Sequence, residues 1–247
     1  FLPWQGGAFA RPSGAPFSDY QSIITAPGTS IEIRDLLRGQ SVGAFRYSAM
    51  VGPLDDPHGE PTARMEIEDA ESWRNSRDGS YRRRLKGTLR RIRKAEQEIG
   101  APRAVTRSRD IDAFQTLIDW KRKQYVESGK YDVLKNESNI ALLRDLWERG
   151  SQADLRADMH ALYFGDRLAA CDLGLTDGHV YHSWIVSYDP DLHAYAPGFQ
   201  MLEAIIDDIS ALGYRVIDLG TGTGGFKKQY TTHSHFVSSG VVTLPSP

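Results

Sequence analysis

The sequence predicts an α+β fold with a mixed, mostly antiparallel sheet, and three observations carry that prediction. The hydrophobic period is helical up to about residue 150 and alternating over 159–186. The alternating runs 159–164, 168–175 and 179–186 are separated only by Gly165-Asp166 and Asp177-Gly178, which are tight-turn dipeptides, so they read as an antiparallel meander. Past the meander the chain reads as a helix, a strand, a short helix and a last strand, an order that differs from repeating strand–helix–strand units.

Each element has a local reason. Short alternating runs at 18–25 and 43–50 predict strands, with a short helix between them, capped by Ser30 or Asp35 and running through Leu37. The stretch 52–60 (GPLDDPHGE) is rich in turn formers and reads as a linker. A long helix is expected over 80–98: Leu85, Leu89, Ile92 and Ile99 fall on one side, Gly100 stops it, and Arg82, Arg83, Arg84, Lys86, Arg90, Arg91, Arg93 and Lys94 cover the other sides. After a short strand at 104–106, Asp110 caps a second helix with the stripe Phe114, Leu117, Ile118 and Tyr125, ended by Gly129. A third helix spans 138–149, with Leu142, Leu143, Leu146 and Trp147 inward and Gly150 as terminator. Beyond the meander come a helix over 198–212, a strand over 215–219, a short helix over 226–231 and a strand over 235–243. The expected domains are 1–51, then a linker and basic helix over 52–100, then 101–247.

Composition bounds the function. The 247 residues are 40% hydrophobic and 25% charged, ordinary for a soluble globular protein. A formal charge of −2 argues against a polyanion binder by overall composition. The single cysteine, Cys171, cannot form an internal disulfide, which fits a reducing compartment. No apolar run approaches the roughly 20 residues that span a bilayer. The start, Phe1-Leu2-Pro3-Trp4, has no initiator methionine and reads like a strand interior, so a piece of a longer protein is expected.

Two glycine-rich signals fail their physical requirements. Val216-Ile217-Asp218-Leu219-Gly220-Thr221-Gly222 looks like the opening of a methyltransferase or dinucleotide fold, and Gly220, Gly222 and Gly225 fit G-x-G-x-x-G. Such a loop opens a doubly wound sheet, yet only one short helix and one strand remain, and no Asp or Glu comes after Asp218 to hold a ribose. A turn between strand and helix is the alternative. His233 and His235 would share a strand face, but sequence places no third metal ligand near them, so no metal is expected.

The C-terminal half resembles the CelD/BcsL-like acyltransferases, a GNAT-fold family tied to cellulose and other exopolysaccharide synthesis. The resemblance rests on Tyr188-Asp189-Pro190 through Tyr195-Ala196-Pro197-Gly198 with Met201-Leu202, on Ile217 to Gly222 with Phe226-Lys227 beyond it, and on the basic helix Tyr81 to Lys94. Residues 1–50 look like the tail of the N-terminal GNAT-like half of that family. Two departures stand out. Thr223 and Gly224 replace the family's Asp-Glu pair, and Tyr195-x-x-Gly198-x-Gln200 keeps only the glycine of the usual pyrophosphate loop.

The resemblance implies an acyl-CoA-dependent N-acyltransferase, with acetyl-CoA or another acyl-CoA as cofactor and an amino sugar or polysaccharide precursor, small or lipid-linked, as acceptor, acting in the cytoplasm or at the inner membrane face. For the cofactor, the expected contacts are Tyr188, Tyr195, Pro197, Gly198, Phe199 and Gln200: a helix N-terminus attracts anions, Pro197 suits its first turn, and Gly198 permits close approach. For catalysis the candidates are His182, Asp218, Tyr230 and Lys227. His182 is a base or a buried, satisfied histidine, and strand alternation pairs it with Trp184 on one face, against Tyr181, Ser183 and Ile185. Asp218 is a base, an orienter of the amine, or a turn cap. Tyr230 protonates the thiolate or packs in the core. Lys227 meets an anionic group or is solvated. The basic helix is a solvated face or a contact for phosphates, anionic polymer or membrane headgroups. Two rivals stay open: a FemAB-type aminoacyl transferase that uses charged tRNA, and a GNAT-like module that binds without catalysis.

Overall fold

A computed structural model describes residues 2–3, 9–29, 31–38, 40, 42–52, 58–150 and 153–244. In chain order the elements are β1 (Leu2–Pro3), β2 (Phe9–Arg11), α1 (Ile33–Arg38), β3 (Ala44–Met50), β4 (Glu60–Glu66), α2 (Ala70–Asn75), α3 (Gly79–Glu98), β5 (Pro102–Val105), α4 (Ile111–Glu127), α5 (Glu137–Glu148), β6 (Arg156–Phe164), β7 (Arg167–Thr176), β8 (Val180–Tyr188), α6 (Pro197–Asp207), α7 (Ile209–Leu212), β9 (Val216–Thr221), α8 (Lys227–Tyr230) and β10 (Phe236–Thr243). Short 3-10 turns lie at Val133–Lys135 and Pro190–Tyr195.

The chain divides into two compact units, residues 1–63, 221–223 and 234–247 in the first and 64–220 and 224–233 in the second. In the first, β1 and β2 are antiparallel, β2 runs parallel to β3, and β3 pairs antiparallel with β10, Val242 opposite Phe45. The first residues of β4 pair with β10, Pro61 opposite Phe236. Ala10, Ile33, Leu37, Phe45 and Met50 form the core of this unit.

In the second unit β5, β6, β7 and β8 are successive antiparallel neighbours, and β9 lies parallel to β8. The meander is the expected one. One sheet face carries Leu162, Ala170, Tyr181 and Ile217 against Met201, Leu202, Ile205 and Ile206 of α6 and Tyr81 and Ala95 of α3. The other face is covered by α4 and α5; Cys171 lies there, buried, its Sγ 3.8 Å from the Ala113 carbonyl, and burial pushes its thiol up to about 12.

The two units do not follow the expected boundaries after 51 and 100: the chain passes between them at 63–64, 220–221, 223–224 and 233–234, and β10, last in the chain, takes β3 as its partner. Three expectations are corrected. The stretch 18–25 is not a strand; it makes only the bridge from Gln21 to Met50. Strand β4 begins inside the segment read as a linker, and it leads into the six-residue α2, an unexpected helix capped by Asp69. The helix expected over 198–212 is two, α6 and α7, and Gly213 ends the second in the left-handed region at φ 80°.

Candidate active site

The site is built where two parallel strands part. β8 and β9 pair at Val180–Val216, Tyr181–Ile217 and His182–Asp218, and the pairing ends there, although β8 continues to Tyr188. β8 stays paired with β7 to its end, Tyr188 opposite Ala170, so beyond His182 its other edge turns away from β9. That edge has its own chemistry: Lys121 on α4 donates from Nζ to the Val186 carbonyl at 3.0 Å.

β8 carries a bulge. Leu173 faces Ile185 and Gly174 faces Ser183, so two residues of β8, around Trp184, stand against one step of β7. The bulge changes the predicted alternation. His182 and Ile185, opposite Leu175 and Leu173, share the α4 face, whereas Tyr181 and Ser183 share the α6 face with Asp172. Tyr181 and Ser183 both donate to Asp172, at 2.8 Å each. Burial nevertheless pushes that carboxyl up to about 6, against those hydrogen bonds.

His182 and Asp218, paired across the parallel ladder, sit on the same face. His182 Nδ1 is 3.6 Å from Asp218 Oδ1, and the two side chains are only 14% and 9% exposed. The same oxygen accepts the Gly220 N–H at 2.8 Å, a tight Asx turn made possible by the left-handed Gly220 at φ 83°. Arg64 on β4 approaches the other oxygen, Nε to Oδ2 at 3.9 Å. Lys227 at the start of α8 reaches back, its Nζ 3.9 Å from where a Cβ on Gly220 would stand. Asp218 is thus both the turn cap and the partner of His182. Arg64 is the residue that sequence reasoning misses; its signal is the alternation of Ala63, Met65 and Ile67 with Thr62, Arg64 and Glu66, masked by the turn formers just before it.

Tyr230 belongs to the core. It is fully buried against Trp73, Tyr81 and Phe226, its hydroxyl donates to Glu203 Oε1 at 2.9 Å, and burial, then the Glu203 charge, drives its pKa far above the usual range. Of the two readings of Tyr230, packing in the core is the one this geometry fits: a hydroxyl bound into a buried carboxylate is not poised to release its proton.

The predicted cofactor segment has a distinct shape. Asp189 accepts the Asp191 N–H at 3.0 Å and is held by Arg167 at 2.6 Å, which fixes the turn that begins with Pro190. Ala196 is left-handed at φ 54°, ψ 52°, a strained non-glycine conformation that swings the chain into α6 with Pro197 at its first turn. Phe199 and Gln200 donate their N–H groups back to the Ala196 carbonyl, at 3.1 and 3.3 Å. Gly198 contributes the remaining first-turn N–H, and Tyr188 lies 3.9 Å from the position of a Cβ there. Three of the expected contacts point elsewhere. The Tyr195 hydroxyl donates to Glu98 at 2.6 Å, Phe199 packs edge-on to Phe226 under Arg84, and the Gln200 amide is buried. The expected cluster of amides therefore contracts to Gly198, flanked by Tyr188. Among the described residues, no group of three or more His, Cys, Asp or Glu is placed to hold a metal ion.

Residues 80–228, more than half of the chain, match the model of the acetyltransferase (GNAT) domain. The chain belongs to the GNAT acetyltransferase-domain family. The fold of this GNAT chain is similar to that of FemX, with a TM-score of 0.56 at 9% identity, covering 86% of this chain and 75% of the other. It is also similar to a conserved protein of unknown function from Bacteroides thetaiotaomicron VPI-5482 (TM-score 0.54, 12% identity, 86% and 74% covered). A third likeness is to the C-terminal domain of a putative lysylphosphatidylglycerol synthetase from Agrobacterium fabrum (TM-score 0.52, 11% identity, 86% and 71% covered). No curated protein matches the sequence. These likenesses fix the fold, and the GNAT domain makes the chain an acyltransferase by class. Among the described residues no helix is long and apolar enough to cross a membrane.

Proposed function

We propose that this GNAT chain transfers an acyl group, in the first instance acetyl, from coenzyme A to the amine of an amino sugar or related polysaccharide precursor in exopolysaccharide synthesis. The observation that carries the reading is the His182–Asp218 pair standing where β8 and β9 separate. When bound, the coenzyme supplies an activated thioester carbonyl. Asp218 faces His182 Nδ1, which leaves Nε2 as the nitrogen to take the amine proton; imidazole suits that task near neutral pH. Backbone N–H groups of the diverging stretch 184–188 meet the charge that develops on the carbonyl oxygen. Gly198 N–H and the Tyr188 ring hold the cofactor's phosphate end, and Lys227 adds a cation near Gly220. The exposed cations of α3 give the protein an anionic contact, at the acceptor or at the cytoplasmic membrane face.

Calorimetric titration with acetyl-CoA, and then a CoA-release assay with glucosamine as amine, tests the reading. His182→Ala is expected to lower kcat by about 10²–10⁴ while leaving acetyl-CoA affinity within about threefold. Absence of acetyl-CoA binding at high micromolar concentration overturns it. A second reading, aminoacyl transfer from charged tRNA, is favoured by the exposed Lys86, Arg90, Arg91 and Arg93 on one helix. Protection of the fold against heat by aminoacyl-tRNA rather than by acetyl-CoA selects it.

A further inference from the structure

A separate cavity of about 380 Å³ opens between α3, the β5–β6 edge and α6. Its size is that of a small-molecule site. Leu85, Leu89, Ile92 and Leu162 make it mostly apolar, and Ala204 closes one wall. Besides the charged Arg74, Glu203 and Asp207, two uncharged polar side chains line it, Thr88, 1% exposed, and Gln200, 4% exposed. Neither Thr88 Oγ1 nor Gln200 Oε1 has a hydrogen-bond partner among the described residues. A threonine inside a helix ordinarily bonds back to a carbonyl of the preceding turn, and Thr88 does not. Gln200 Nε2 donates to the Tyr195 carbonyl at 2.8 Å, which leaves Oε1 as the amide's unmatched acceptor. Buried polar atoms left unmatched are uncommon and costly.

The pair is one hydroxyl and one acceptor. A secondary amide answers both, its N–H to Gln200 Oε1 and its carbonyl to the Thr88 hydroxyl. The charges around the mouth are sorted as well. Arg74 is committed to Glu203 and Asp207, at 3.0 and 2.5 Å, so that side offers no cation to an anion. On α3, Lys86 and Arg93 stand about 40–60° around the helix from Leu89, both are exposed, and neither has an ion pair among the described residues.

We infer that this cavity binds the N-acyl portion of an anionic amphiphile: aliphatic chain against Leu85, Leu89 and Ile92, secondary amide on Thr88 and Gln200, negative end on Lys86 and Arg93. The inference shares the α3 cations with the proposed anionic contact but uses neither His182 nor Asp218, so it can fail while the proposed reaction stands. Two sources share the chemistry, an N-acylated compound and the pantetheine arm of a coenzyme. Calorimetry on the full chain with N-octanoylglycine, 4′-phosphopantetheine and octanoate separates them. N-octanoylglycine or 4′-phosphopantetheine is expected to bind, whichever is tighter naming the source. Ala204→Leu, which fills the cavity, is expected to weaken it at least about tenfold. Thr88→Val, nearly isosteric, is expected to weaken it about 2- to 10-fold, the range of one neutral hydrogen bond, and to leave octanoate unchanged. Failure of both amides to bind at 1 mM, or equal binding by wild type and both variants, overturns the inference.

Discussion

Gly174 lies so close to Tyr181 that a Cβ there would come within 2.4 Å of the ring, which cannot retreat because it is fully buried and stacked on Tyr214. Gly174→Ala is therefore expected to destabilise by about 3 kcal/mol or more, read as a lowered urea midpoint, since neither backbone nor ring has room to yield. Tyr214 leads into a buried polar network. Its hydroxyl donates to Asp158 at 2.6 Å, Arg156 and Arg107 hold the same carboxylate, and His160 stands beside them. Complete burial, outweighing the nearby Asp158 charge, lowers the His160 pKa to about 4. The unfolded chain, with an ordinary histidine near 6.5, thus binds the proton more readily. Stability is retained above pH 6.5 and falls as the pH drops towards 4. From pH 7 to pH 5 this amounts to about 2 kcal/mol. Asp172, raised to about 6, works in the opposite sense over the same range. The clean comparison is between variants: His160→Gln should lose about 2 kcal/mol less than wild type between those two pH values in urea titrations.

Among the elements, α4 shows how much a cap can tell in advance. Asp110 reads from sequence as the start of this helix, and its Oδ1 accepts the N–H groups of Asp112 and Ala113 at 2.9 and 3.1 Å, while Oδ2 takes the Tyr163 hydroxyl at 2.6 Å. Asp110→Ala is expected to cost about 1–2 kcal/mol in thermal unfolding. The helices α3, α4 and α5 and the three-strand meander are legible in the sequence because each carries either a sustained period or a turn dipeptide. β4 is not, because Pro61 and the preceding turn formers obscure its alternation, and α2 is too short for a period to show. At the site, the element order places His182 and Asp218 correctly at strand positions, but their pairing needs the parallel register, and the bulge that reassigns the faces of β8 leaves no mark in the sequence. Tyr230 stays ambiguous in the sequence for a related reason: a tyrosine in a short polar helix fits either an open site or the core, and only packing reveals that α3 and α6 enclose it.

For the molecule as a whole, chain order and spatial grouping differ, and the difference can be measured. A fragment of residues 101–247 would lack Met65, Ile67, Trp73 and Tyr81, which belong to the core of the second unit, and would carry β10 without β3. It is expected to give poorly dispersed amide spectra, whereas residues 64–233 are expected to give dispersed ones, because that span holds a complete core. The grouping also isolates the only sulfur nucleophile. Cys171 lies under α4 with its thiol held protonated, so maleimides should find nothing to modify until denaturant is added. The wild-type background is then already silent for spectroscopy. A dye-bearing cysteine engineered at a solvent-facing position such as Val126, 72% exposed, would report alone, with no native residue to delete first.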